Sequence, residues 1–171
     1  AIPEYEKDED GNPVYPIKAA QSLIINNMGV VEYTRPGFHN DRYIYPIGYE
    51  SLRLFGSCLQ IGDRIWYKSS IHDNGGPTPI FRVEVPDSNI VFEGSTPSKP
   101  WLMVIKAIED LKKQEGLAQN KSSTISGPES FGFTNPIVMK IMRDLPNADK
   151  CEKYNRPKFE NEINENEQPS Q

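Results

Sequence analysis

Four side chains of this 171-residue chain are of the type that ligates a soft metal ion: His39, Cys58, His72 and Cys151. A structural zinc site draws its ligands in close pairs, because one turn must aim two of them at the same ion. None of the four lies within ten residues of another, so the spacing predicts no metal centre. Ordinary hydrogen-bonded histidines and reduced thiols are expected in its place. Nucleophilic chemistry finds no better support. There is no Gly-x-Ser-x-Gly elbow. Cys151 sits between Lys150 and Glu152, where the lysine would favour a thiolate, but no histidine is near it in sequence. His72-Asp73 has the composition of an acid–base dyad. Adjacent residues rarely face each other, however, and within Asp73-Asn74-Gly75-Gly76-Pro77 the aspartate more naturally bonds the turn backbone. Gly75 and Gly76 would cradle a phosphate only ahead of a helix N-terminus, and a proline and a strand pattern follow them. The residues therefore predict no catalytic group, no cofactor and no metal.

The elements that would carry these side chains change character along the chain. Val14-Tyr15-Pro16-Ile17 reads as an extended arm. Leu23-Ile24-Ile25 and Val30-Val31-Glu32-Tyr33 read as short strands around the turn Asn26-Asn27-Met28-Gly29, and Arg35-Pro36-Gly37 breaks the second. Arg42 to Ile47 alternates around Tyr43 and Tyr45 and ends at Pro46. Ser51 to Leu59 and Asp63 to Ile71 read as further strands. The clean alternation of Ile80 to Val85 predicts a half-buried strand, hairpin partner of the preceding one across the Asp73–Pro77 turn. Ile90-Val91-Phe92 is another short strand. The period then changes: Trp101, Val104, Ile105, Ile108 and Leu111 follow helical spacing, with Thr96 or Ser98 as cap and Gly116 as stop. Residues 117–130 read as a long flexible loop. A second helix begins near Pro136, capped by Thr134 or Asn135, lined by Ile137, Val138, Ile141, Met142 and Leu145, and ended by Pro146. Strands followed by helices predict an α+β fold: a mainly antiparallel sheet of about six strands with two C-terminal helices packed against it. Trp101 is expected to pack on that sheet.

The formal net charge is −5, and its placement is uneven. The first ten residues carry five acids against Lys7, and residues 159–171 carry four glutamates and no base, so residues 11–158 are mildly basic at +3. Residues 1–12 are read as an acidic flexible lead-in, 13–158 as one module, and 159–171 as a disordered acidic tail. No apolar run approaches the ~18 residues of a membrane span, and the chain, which does not open on Met, is read as part of a longer or processed protein. Lys112-Lys113 and Lys121 could form part of a phosphate-facing patch. The excess of positive charge is modest, and no helix-turn-helix, zinc finger or aromatic RNA-binding motif accompanies it.

The aromatics remain: Phe38, Tyr45, Tyr49, Trp66, Trp101, Phe131 and Phe133 sit among glycines and prolines that demand irregular turns. Each is either a core ring or an interface anchor, and for each taken singly the core is the default. Their motifs carry a resemblance. Arg35-Pro36-Gly37-Phe38-His39, Ile44-Tyr45-Pro46, Gly48-Tyr49, Ser51 and Arg53, at roughly 29–55, resemble the FYRN region. Pro79, Phe81, Ser98, Trp101, Phe131-Gly132-Phe133, Pro136, Leu145-Pro146, Ala148, Lys150-Cys151 and Tyr154, at roughly 63–154, resemble the FYRC region. The resemblance implies that both regions interleave into one α+β module in a nuclear, chromatin-linked setting, as in the mixed-lineage-leukaemia-type histone methyltransferases and some histone demethylases. It supplies no catalytic residues. The positions singled out for structure or interaction are Phe38, Tyr45, Tyr49, Arg53, Trp66, Trp101, Phe131, Phe133, Lys150 and Tyr154. The expected partners are nuclear or chromatin proteins, such as histones or subunits of a chromatin-modifying complex. The alternative is direct contact with DNA or histone tails.

Overall fold

Six strands in simple sequence order form one antiparallel sheet, each strand beside its predecessor. A computed structural model describes residues 3–118 and 125–159. The strands are β1 (Ile17–Ala20), β2 (Leu23–Asn27), β3 (Glu50–Gly56), β4 (Arg64–His72), β5 (Ile80–Glu84) and β6 (Val91–Gly94). Helices α1 (Ser98–Gln114), α2 (Gly127–Phe131) and α3 (Pro136–Asp144) follow, with 3₁₀ turns at Pro36–Phe38 and Ala148–Lys150. The α+β class is thus observed, with three α-helices among the described residues where two were expected.

Period-two alternation decides which side chains face the helices. Leu23 and Ile25, Tyr49 and Ser51, Tyr67, Ser69 and Ile71, and Phe81 and Val83 are buried on the inner face. The intervening Ile24, Leu52, Leu54, Trp66, Lys68, Arg82 and Glu84 are half-buried on the outer face. Helix α1 covers β5 and β6, and α2 wedges between α1 and β3. Trp101 and Val104 are buried, whereas Ile105, Ile108 and Leu111 are half-buried. The Thr96 hydroxyl accepts from the Lys99 amide at 3.3 Å, and Gly116, at φ +71°, ends the helix by donating to the Lys113 carbonyl. In α3 the cap is Asn135, whose side chain accepts from the Ile137 and Val138 amides; Val138, Ile141 and Met142 are buried.

Four segments differ from expectation. Val30–Tyr33 and Arg42–Ile47 are not strands; only isolated bridges form, Val30 with Ile47 and His39 with Ile44. Pro36 and Pro46 lack the donors that a longer ladder needs, and Gly29 and Gly48 both turn at positive φ. The arm does end in a strand, β1, paired with β2 from Ile17 opposite Ile25. Part of the expected loop, Gly127–Phe131, is helical, with the Ser126 hydroxyl capping the Glu129 amide; residues 119–124, and Lys121 with them, lie outside the described residues. The acidic lead-in makes local contacts. Lys7 bridges Pro13, the Asp8 carboxylate accepts from the Asp10 and Asn12 amides, and Tyr5 packs against the core. Of the tail only Phe159 is described, its ring 5.1 Å from the Arg143 guanidinium carbon.

Candidate functional site

A polar contact between distant parts of the chain begins with Tyr49, which directly precedes β3, and with Ser51 and Arg53 of β3. Positions 49, 51 and 53 share one face of the strand and meet the C-terminal end of α2. The last carbonyls of a helix lack partners within it. Here the Tyr49 hydroxyl donates to the Phe131 carbonyl at 2.6 Å, and the Ser51 hydroxyl donates to the same oxygen at 2.8 Å. The Arg53 guanidinium donates to the carbonyls of Ser130, at 3.3 Å, and of Glu129, and also to the Ser22 hydroxyl at 3.1 Å. Gly132 then reverses the chain at φ +100°, where a side chain would be strained and would also press on Leu23 and Tyr49. Burial holds the Tyr49 phenol above its ordinary pKa, so it remains a neutral donor at all physiological pH.

Around this clamp the aromatic side chains form two clusters. Phe133 is the hub of the first, with ring centroids 5.1 Å from Tyr49, 5.4 Å from Phe131, and 5.7 Å from both Tyr43 and Tyr45. Phe81 closes it edge-on against Tyr45 at 4.9 Å and Phe131 at 5.6 Å. The second gathers Trp101 with Tyr67 at 5.3 Å and Phe55 at 5.7 Å, and the indole N–H donates to the Ser69 hydroxyl at 3.1 Å. Each well-oriented ring pair adds about 0.5–1.5 kcal/mol beyond its buried area. Phe38, Tyr49, Trp101, Phe131, Phe133 and Tyr154 are therefore core residues, and Tyr45 is half-buried among them.

The Arg35-Pro36-Gly37-Phe38 motif is a second clamp. The Arg35 guanidinium forms a two-pronged ion pair with Asp73, at 2.9 and 2.6 Å, reaches Glu32 at 3.1 Å and the Gly76 carbonyl at 3.0 Å, and stacks 4.2 Å from the Phe38 centroid. Gly37 lies so close to the Pro77 carbonyl oxygen that a Cβ would collide with it. The motif thus ties the β2–β3 connection to the β4–β5 turn. Arg35 and the Gly75 amide together hold the Asp73 carboxyl down at about 2. Lys150 is exposed, its ammonium 4.9 Å from the Tyr33 centroid. Trp66 stands apart from every other singled-out residue, half-buried on the outer face opposite Leu54.

The chemistry weighed from sequence does not assemble. Folding does bring His39 to the Cys151 segment, but its Nε2 accepts the Lys153 amide at 3.3 Å. Desolvation pushes the His39 pKa down and the Cys151 thiol up. The first is a neutral acceptor and the second a buried thiol, not a thiolate. His72 turns away from Asp73 and meets the Ser70 hydroxyl at 2.8 Å. That pair lies on a pleated sheet surface, where desolvation and the nearby Arg82 lower the imidazole pKa. Among the described residues no group of three or more histidine, cysteine or acidic side chains is placed to hold a metal ion, and no helix is long and apolar enough to cross a membrane. The contributors absent from the sequence reading are small polar residues, Ser22, Ser69 and Ser130, whose composition carried no signal.

Residues 14–74 match the family description "F/Y-rich N-terminus" (FYRN), and residues 78–162 match "F/Y rich C-terminus" (FYRC). The two matches meet at the turn that Arg35 clamps. Transforming growth factor beta regulator 1 of Mus musculus is 31% identical over 156 residues, covering 90% of this chain and 36% of that protein. Histone-lysine N-methyltransferase TRX1 of Oryza sativa subsp. japonica is 31% identical over 161 residues, covering 91% of this chain and 15% of that protein. Histone-lysine N-methyltransferase 2D of Homo sapiens is 29% identical over 136 residues, covering 77% of this chain and 2% of that protein. The chain thus spans about a third or less of the length of these relatives, and the paired regions it matches occur in chromatin regulators. With both halves of the signature present and interlocked through β3 and α2, this chain belongs to the FYRN/FYRC family.

Proposed function

We propose that the folded body is a noncatalytic protein-interaction module of a nuclear, chromatin-associated regulator, with nuclear proteins such as histones or subunits of a chromatin-modifying complex as partners. One observation carries this reading: the aromatic signature is turned inward, joining the two halves, while among the described residues no helix packs on the opposite face of the sheet. That face presents Ile24, Leu52, Leu54 and Trp66 in adjacent register at one end. Beside them Lys68 pairs with Glu84 at 3.2 Å and Glu50 at 3.8 Å. An apolar patch rimmed by paired charges suits protein recognition.

The test is recovery of partners from nuclear extract by the 171-residue chain, with and without nuclease, beside a DNA titration over salt. Recovery that survives nuclease and falls with Trp66→Glu supports the reading. Recovery abolished by nuclease, together with tight DNA binding that weakens steeply with salt, would replace it with direct nucleic-acid contact.

A further inference from the structure

The two edges of the sheet are finished differently. On β1 the Asn135 side-chain amide donates to the Ala19 carbonyl at 3.1 Å, so a residue at the start of α3 occupies part of that edge. On β6 nothing comparable occurs among the described residues. The Val85 amide donates to the Ile90 carbonyl at 3.0 Å at the start of the β5–β6 ladder. Antiparallel pairs alternate between hydrogen-bonded and non-bonded, so from the register of Val83 opposite Phe92 and Arg82 opposite Glu93, the backbone N–H and C=O of Val91 and Glu93 point away from β5. Among the described residues no hydrogen bond reaches these outward groups from another element.

The side chains along the same edge give it a chemical preference. Val91 is 45% exposed and the Glu93 side chain 43% exposed. From Val83 to Ser98 the chain carries Glu84, Asp87 and Glu93 and no lysine or arginine; Glu84 is paired with Lys68, and the Lys99 stem lies against Gly94. Beyond Glu93 the edge opens into a cleft of about 320 Å³, walled by Pro77 and Pro79 of the β4–β5 connection, by Ile80 at the start of β5, and by Gly94 and Ser95. Glu93 lines that cleft and forms a long ion pair with Arg82 at 3.5 Å, which leaves its second carboxylate oxygen for a further cation.

We infer that the β6 edge accepts an extended, lysine- or arginine-bearing segment of a protein partner as a seventh strand. The outward groups of Val91 and Glu93 supply the ladder. Alternation places the partner's outer-face side chains beside Val91 and Glu93, so the fitting segment has an apolar residue two positions from a basic one, with the basic stem reaching along the cleft. This deepens the interaction-module reading and rests on it.

The probe is a labelled peptide of about ten residues alternating valine and lysine, with its valine–glutamate counterpart as control. Both are titrated against the full chain by fluorescence anisotropy, with amide exchange followed at Val91 and Glu93. Val91→Pro removes an outward donor that β5 does not use, and Glu93→Lys reverses the charge. We expect the lysine peptide to bind about tenfold more weakly to each variant, the glutamate peptide to gain on Glu93→Lys, and the two amides to become protected on binding. Equal binding to wild type and both folded variants, or unchanged exchange at Val91 and Glu93, overturns the inference. If Val91→Pro melts early, Glu93→Lys and the exchange data decide alone. A concentration-dependent dimer that Val91→Pro dissolves would overturn it in favour of a second copy of this chain. Partner recovery from nuclear extract that is untouched by the edge variants but lost with Trp66→Glu would sink this inference and leave the interaction reading standing; no recovery under any condition would sink the latter.

Discussion

The two faces of the sheet are built from the same strands and have opposite chemistry. The inner face carries rings and small hydroxyls, and almost every polar atom on it has a named partner: Tyr49 and Ser51 on the Phe131 carbonyl, Trp101 on Ser69, Tyr67 donating to the Gly56 carbonyl at 2.8 Å. The outer face carries long charged side chains and an apolar patch around Trp66, and among the described residues no helix packs on it. The difference teaches that most of the signature aromatics of this chain serve assembly of the core. A buried ring contributes through complete desolvation and fixed geometry, and those conditions hold only on the covered face.

The strongest way to break the comparison is to separate the halves. Residues 13–56 and 63–154 each contribute one side of the buried cluster that runs from Ile17 to Tyr154. Expressed alone, neither should melt cooperatively or give dispersed amide spectra, whereas the co-expressed pieces should; cooperative melting of both pieces alone would refute a shared core. Next in size is Trp101→Ala, which removes a fully buried indole and leaves Ser69 unpaired. It should cost roughly 3–5 kcal/mol by denaturant titration, and a loss under about 1 kcal/mol would contradict the packing described.

The β3 clamp sharpens the comparison further. Tyr49→Phe and Ser51→Ala each leave the Phe131 carbonyl one donor, so each should cost about 1 kcal/mol. The double variant orphans that buried oxygen and should lose more than the sum; strict additivity would show that the two hydroxyls do not share it. His39 gives a pH test. Its folded pKa lies below the ordinary value, since burial and Lys153 disfavour the imidazolium and Nε2 must stay free to accept the Lys153 amide. Its contribution is therefore complete above the unfolded-state pKa of about 6.5 and is lost as the pH falls through the lower folded value. Wild type should lose more stability than His39→Gln between neutral and acidic pH, and parallel curves would remove His39 as the cause. The smallest effect belongs to the outer face. Trp66→Ala removes a half-buried cross-strand neighbour of Leu54 and should cost less than ~1 kcal/mol, while partner recovery drops. A large destabilisation would mean that this face, too, is core.

Legibility followed the range of the interactions involved. Helices α1 and α3 were readable because their apolar spacing repeats over several turns and their ends carry Gly116 and Asn135. α2 was missed because five residues are too few for a period, although Ser126 followed three residues later by Glu129 is a capping-box pattern. Val30–Tyr33 has strand-forming composition and no strand, since a strand needs a partner and residues 46–48 offer a proline and a left-handed glycine. Trp66 and Trp101 were indistinguishable by type; only their faces separate them.

By itself the sequence determined the local alternatives: where the period is two or three and a half, where a glycine or proline must turn the chain, and that a strand runs on from Ser51. These follow from backbone sterics and side-chain spacing, which act over a few residues. Only the tertiary structure decided what that strand meets. The Tyr49 hydroxyl finds its acceptor 82 residues away at Phe131, and Arg35 finds Asp73 38 residues away. Such pairings depend on how the whole sheet and its helices stack, and no local propensity encodes them.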